Sequence, residues 1–234
     1  MRWLKLFFVA SLVWLKVGCG LPNPYFLSAP TVPTQAAGGS QVTFVSPGYN
    51  ASGSQTSFVG FEVYYKFLSS TPSGTDINLG GGGFPGYSTL TSNGYFPICL
   101  STDQPPTQRT APAIAIAPAD SVNSLTITLT LNSNGVSSTN YGSSPALGRY
   151  VSYTVSIFTS KTFADNESTN DPAGPGQNYQ STDSDVSPIF SSASSTGQAY
   201  VNLYVLAYGY EQGTSIVQYS PPVYMGYLTI SPFP

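Results

Sequence analysis

The chain has 234 residues, of which 41% are hydrophobic and only 7% charged, with no histidine and a formal net charge of −3. The missing histidine excludes Ser-His-Asp and Cys-His catalysis and the common zinc sites. Seven Lys and Arg in the whole chain give no basic patch, which removes the electrostatic drive toward nucleic acid or an anionic lipid surface. An aromatic content of 14% is foreign to disordered chains, so a folded domain with an uncharged, hydrogen-bonding surface is expected.

Met1–Gly20 carries Arg2 and Lys5, then an apolar run from Leu6 to Leu15, then Gly18-Cys19. A positive start, a short apolar core and small residues at a cut are the layout of a secretory signal. The run is shorter than the ~20 apolar residues of a membrane-spanning helix. Val17-Gly18-Cys19 resembles the lipobox of bacterial lipoproteins, with the departure that Leu15 stands one place early and Lys16 fills the usual leucine position. The resemblance implies a signal peptide over 1–18 and a diacylglycerol joined to the Cys19 thiol. It places the exported chain on an outer membrane or cell surface, held by the lipid. With lipid on Cys19, Cys99 stays a thiol. An ordinary signal cut would instead leave these two cysteines to form one bridge, and a third alternative keeps the apolar segment as an uncleaved anchor. Trp3 and Trp14 lie inside the signal, as do Arg2, Lys5 and Lys16, so the mature chain is more acidic than the whole.

Residues 19–40 read as a tether. Pro22, Pro24, Pro30 and Pro33 oppose helix and favour extended backbone, with an edge strand around Pro30–Thr34 as the alternative. Residues 41–234 read as a β-domain. Val42 and Phe44 alternate with polar neighbours. In Phe58–Leu68, Val59, Phe61, Val63, Tyr65 and Phe67 share one face and Glu62, Tyr64 and Lys66 the other, the pattern of a strand set mid-sheet. Ser69–Gly94 reads as loop; its Gly80–Gly83 run lacks the Lys-Ser/Thr and the helix of a phosphate loop. Ile98-Cys99-Leu100 reads as a short strand with a buried cysteine. The prolines from Pro105 to Pro118 mark a boundary if there are two domains. Ser124–Leu131, Arg149–Phe158, Tyr200–Tyr208, Ile216–Tyr219 and Val223–Ile230 complete the strands, and no stretch after the signal shows a helical period.

The fold expected is all-β, an antiparallel β-sandwich with long loop insertions. Phe61–Lys66 resembles the third strand of fibronectin type III domains, and Tyr153–Ile157 or Tyr204–Tyr208 their sixth. The resemblance implies an immunoglobulin-like sandwich, with the departures that the family tryptophan is missing and the chain is about twice the usual ~100 residues.

Asp165, Glu167 and Asp171, followed by Asp183 and Asp185, are the candidate calcium ligands. They supply carboxylates on a polar loop, where calcium takes about six to eight oxygens; a solvated acidic loop is the competing reading. No cofactor motif is present. Asn50-Ala51-Ser52 and Asn166-Glu167-Ser168 match the glycosylation triplet. The outward-facing Tyr64, Tyr200, Tyr204 and Tyr208 are candidate contacts for a partner if they form an exposed stripe, and otherwise cover the sheet under a neighbouring loop. The expectation is a lipid-anchored envelope protein with a non-enzymatic role, binding a protein or glycan or serving structure. The alternative is a secreted carbohydrate-active enzyme working through two loop carboxylates. Self-assembly through exposed strand edges is a third possibility.

Overall fold

The computed structural model describes residues 27–33, 38–50, 56–72, 86–100, 112–131, 137–141, 147–154, 157–162, 179, 181–231 and 233. Cys19, Asp165, Glu167 and Asp171 lie outside the described residues, as do Asn166 and the Gly80–Gly83 run. The described fold is all-β, mostly antiparallel sheet with two short helices.

In chain order the first elements are β1 (Gln41–Ser46), β2 (Thr56–Leu68), α1 (Tyr87–Ser92), β3 (Phe96–Pro97), β4 (Cys99–Leu100) and β5 (Ile114–Ala115). There follow β6 (Leu125–Leu131), β7 (Ser137–Thr139), β8 (Leu147–Thr154) and β9 (Ile157–Thr162). The chain ends with α2 (Phe190–Thr196), β10 (Ala199–Glu211), β11 (Val217–Tyr219) and β12 (Val223–Ile230). One sheet runs β1-β6-β7-β8-β4, with β9 also on β8. The other runs β11-β10-β2-β3, with β12 also on β10 and β5 also on β2.

The alternating pattern of β2 places it mid-sheet, between β10 on one side and β3 and β5 on the other. Its inward Phe61, Val63, Tyr65 and Phe67 stand opposite Ala207, Val205, Leu203 and Val201 of β10. Bulky rings on one strand thus face smaller aliphatic side chains on the next, which fills the layer without collision. Each such buried side chain contributes roughly 1.5–3 kcal/mol. Phe44 of β1 meets Phe61 edge-on at 4.8 Å, and Ile127 and Leu129 of β6 join the same core, so both sheets share it.

Within 19–40, residues 27–33 follow the edge-strand alternative: Leu27 is buried in the core, Thr31 and Val45 exchange backbone hydrogen bonds of 3.0 and 2.7 Å, and the Tyr49 hydroxyl donates to the Ser28 carbonyl at 2.7 Å. A proline-rich stretch still adds to an edge, because Thr31 between the prolines keeps its N–H. Two other expectations need correction. The strand read over Arg149–Phe158 is two strands, since β8 and β9 pair antiparallel with Thr154 opposite Ile157. A hairpin whose arms both alternate keeps its period-two signal across the turn. Finally, α1 lies in the stretch read as loop and α2 follows the acidic stretch. Each buries one residue, Leu90 and Ala193, and is too short to display a 3.6-residue period. Gly197 ends α2 in the left-handed region at φ 65°.

Gly60 sits where β5 crosses close to β2. A Cβ there would stand 2.1 Å from the Ile114 carbonyl oxygen and 2.7 Å from Pro112 Cγ. Gly60→Ala is therefore expected to push β5 off β2 and lower stability by about 1–3 kcal/mol. A urea-denaturation midpoint unchanged from the wild type would contradict this close approach.

Candidate functional site

The inner face of β8 carries Arg149. Leu147 points into the core, and a residue two positions on shares its face; the guanidinium is consequently driven inside with no exposed side-chain surface. The stretch before α2, largely turns from 181 to 189, brings two carboxylates to it. Arg149 Nη1 donates to both oxygens of Asp185, at 3.0 and 2.9 Å, and Nη2 to Asp183 Oδ2 at 3.2 Å. The Tyr65 hydroxyl, from β2 of the other sheet, donates to Asp185 Oδ2 at 2.8 Å. Rings close the cluster: the guanidinium carbon lies 4.5 Å from the Tyr179 centroid and 5.5 Å from that of Phe67. Charge-assisted hydrogen bonds and cation–π contact are strongest where water is excluded.

Burial opposes the Arg149 charge, but the facing Asp185, Tyr179, Tyr65 and Asp183 outweigh it and raise the pKa. Burial, then the neighbouring Asp185 charge, push the Tyr65 phenol well above its ordinary 10.0. Thus the guanidinium stays charged and the phenol stays a donor across the physiological range.

Chemically, the cluster is closed. Asp183 and Asp185 do not form a solvated acidic loop; both are buried and spent on Arg149. Paired carboxylates that act on a sugar must meet it across an open cleft, and these meet a guanidinium instead. Among the described residues no group of three or more His, Cys, Asp or Glu is arranged to hold a metal ion. Asn50 of the first triplet is also committed: its amide nitrogen donates to the Phe58 carbonyl at 3.1 Å and to Ser121 Oγ at 2.8 Å, and its oxygen accepts from Phe58 N at 3.0 Å. A glycan on that nitrogen would break this bracket.

The other face of β2 and β10 carries the tyrosines. They do not form an exposed stripe. Tyr64, Tyr204 and Tyr208 are buried and Tyr200 half-buried. Leu90 of α1 and Tyr95 cover this face, packing with Tyr64, Tyr204 and Leu206. The Tyr95 ring stands edge-on to Tyr204 at 5.2 Å, and its hydroxyl accepts from Asn202 Nδ2 at 2.8 Å. The sequence-proposed contacts Tyr64 and Tyr204 are therefore a second core, roofed by a helix too short to announce itself. Exposure resumes at the β10–β11 hairpin, where Tyr87 of α1 is 46% exposed and Val217 of β11 is 41% exposed.

Sequence reasoning missed Arg149 as a site residue. The signal was there: Arg149 has the parity of Val151 and Tyr153, the apolar set of the sequence pattern, and a charge on an apolar face requires a buried partner. Asp183-Ser184-Asp185, with two acids in step, is such a partner. Comparison with protein-family models, curated proteins and solved structures finds no match to this chain.

Two outcomes are expected of the cluster. Arg149→Ala leaves two buried carboxylates without their cation and costs about 3–5 kcal/mol, whereas Arg149→Met with Asp183→Asn and Asp185→Asn recovers much of that loss. A chemical-denaturation series reads both, and a single Arg149→Ala loss under ~1 kcal/mol would contradict the burial. The second outcome concerns alkaline pH. The folded Tyr65 holds its proton above 10.0 while the unfolded chain gives its proton up there. Its contribution is accordingly complete below about pH 10 and declines as pH climbs beyond it. Midpoints measured from neutral to strongly alkaline pH should fall less steeply for Tyr65→Phe than for the wild type.

Proposed function

We propose that this chain is an exported envelope protein held to a membrane by a lipid on Cys19, with a non-enzymatic binding or structural role toward a protein or glycan partner. In this reading the two sheets form an antiparallel sandwich of immunoglobulin or fibronectin III type, carrying long insertions. The observation that carries the non-enzymatic part is the fate of Asp183 and Asp185. They are brought together as a carboxylate pair, yet both are buried against Arg149. A pair so enclosed cannot hand a proton to a substrate or receive one. Support for the anchored part comes from the leader: a positive start, an apolar run and Gly18-Cys19. No helix among the described residues is long and apolar enough to cross a membrane, so an attachment made through the N-terminus is compatible with the rest of the fold.

The intact mass of the N-terminal peptide from the membrane fraction of the native host tests this. The expected result is a chain beginning at Cys19 with the added mass of a diacylglycerol and an acyl chain. Cys19→Ser should move the protein out of the membrane fraction. An unmodified N-terminus, or a peptide bridged to Cys99, would overturn the anchor.

A further inference from the structure

Among the described residues, four large hydrophobic side chains stand exposed: Tyr87, Val122, Ile216 and Val217. All four lie toward one end of the fold. The β10–β11 hairpin turns beyond Glu211, which stands opposite Thr56 at the start of β2, and it carries Ile216 and Val217 there. Tyr87 packs on Tyr219 at 4.9 Å, two residues along from Val217. Val122 follows Ser121, whose carbonyl accepts from Tyr49 N at 2.8 Å, and the Tyr49 ring stacks on Phe58 of β2 at 4.1 Å. The chain enters the domain at the same end. Thr31 pairs antiparallel with Val45, so the backbone traced back from Thr31 to Leu27 runs alongside the path from Val45 to Tyr49, and the Tyr49 hydroxyl meets the Ser28 carbonyl at 2.7 Å. Eight residues separate Leu27 from Cys19, a reach of at most about 29 Å. The 13 residues of β10 run about 40 Å, so a lipid on Cys19 falls short of the far end.

We propose that this end of the domain, led by Ile216 and Val217 with Val122 and Tyr87 beside them, dips into the bilayer that carries the Cys19 lipid and fixes the orientation of the domain upon it; this rests on the anchored reading proposed above. The turn presents its apolar residues as a built shape. Thr214 Oγ1 donates to the Glu211 carboxylate at 2.7 Å and accepts from Ile216 N at 3.3 Å, and Glu211 N donates to the Ile216 carbonyl at 2.9 Å. Ser215, just before Ile216, is held at φ 56°, in the left-handed region that residues other than glycine seldom adopt. A tip braced in this way loses little freedom on contact. The same atoms limit its depth. The polar backbone of the turn and the Glu211 carboxylate need water, so the tip stops among the headgroups and its side chains reach only about 5–10 Å into the boundary. Tyr87 suits that level, with an apolar ring and a phenol that stays wet. Four side chains do not hold a protein to a membrane by themselves. They select which surface of an already anchored domain lies against it.

Tryptophan fluorescence tests the contact, because Trp3 and Trp14 both precede Cys19. Ile216→Trp, Val122→Trp and Ser191→Trp are made in the full exported chain, the last at an exposed residue of α2, at the end where β10 begins. Each is reconstituted in phosphatidylcholine vesicles containing lipid brominated on its acyl chains. Each is read against the wild-type chain, so that tryptophans of an uncut leader subtract out. The emission of Ile216→Trp and Val122→Trp should shift to the blue and be quenched, more by bromines near the headgroups than by bromines near the bilayer centre. Ser191→Trp should keep its emission. No quenching at either Ile216→Trp or Val122→Trp, or equal quenching at Ser191→Trp, overturns the proposal. A blue shift at Ile216→Trp without quenching by brominated lipid assigns this end to a second copy of the chain and also overturns it. Intact mass of the same samples keeps the two readings apart. A chain lipidated at Cys19 that shows no quenching rejects the hairpin contact and leaves the anchor standing. A chain that is quenched but unlipidated does the reverse.

Discussion

One buried guanidinium ties together three parts of this chain that the shared core alone would not hold in register. Arg149 comes from β8 of one sheet, Tyr65 from β2 of the other, and Asp183 and Asp185 from the turns before α2. Taking such charges out of water costs several kcal/mol per ion, and their attraction offsets this only when geometry is good. The guanidinium meets that condition by its shape. Its planar fork engages both oxygens of Asp185 from one nitrogen and Asp183 from the other, and the Tyr65 hydroxyl supplies a further bond to Asp185. Apolar contact alone would let an irregular stretch slide over the core; a directional fork does not. The register of β8, the position of β2 and the path of residues 181–189 are thereby fixed to one another.

The same economy of charge shapes the second sheet. β2 and β10 are buried on both faces, by the shared core on one side and by Leu90, Tyr95 and their neighbours on the other. Antiparallel strands more often show water one face. A strand covered twice leaves little room for charge, which fits a chain with 7% charged residues; in β2 Glu62 is buried in this layer and Lys66 lies over the Tyr95 ring. Tyrosine suits the outer layer because its ring packs like phenylalanine while its hydroxyl reaches a polar partner. Asn202, set in that layer, shows the point: its amide finds the Tyr95 hydroxyl at 2.8 Å.

What was legible in the sequence follows from which physics is local. β2, β6, β10 and β12 were readable because alternation is imposed residue by residue by the pleat, and Phe61, Val63, Ile127, Leu129, Val201 and Leu203, read as inward, lie in the shared core. The hairpin of β8 and β9 was not, because both arms carry the same period and the reversal leaves no gap in it. α1 and α2 escaped because a helix of about two turns buries one residue and shows no stripe. The tyrosine stripe was located correctly by parity, but parity gives the face and not what covers it; Leu90 and Tyr95 come from a segment that read as loop. Arg149 was hidden for the opposite reason. Its parity was plain, and its partners lay over thirty positions away, at Asp183 and Asp185. Pairing across such a distance is a property of the fold, not of any window of sequence.

Depth then separates residues of one type into different chemistry. Tyr65, with a carboxylate at 2.8 Å and no exposed surface, is a fixed hydrogen-bond donor. Tyr64 and Tyr204, under α1, are packing surface. Tyr87, at the end of a row of mutually braced rings, is presented to solvent. The carboxylates divide in the same way. Asp183 and Asp185 are enclosed with a cation, while Glu211 sits exposed at a hairpin and bonds only its own turn through Thr214. The acids gathered into a pair are thus the ones removed from solvent, where a directional fork holds them, and Glu211 is left to brace a hairpin.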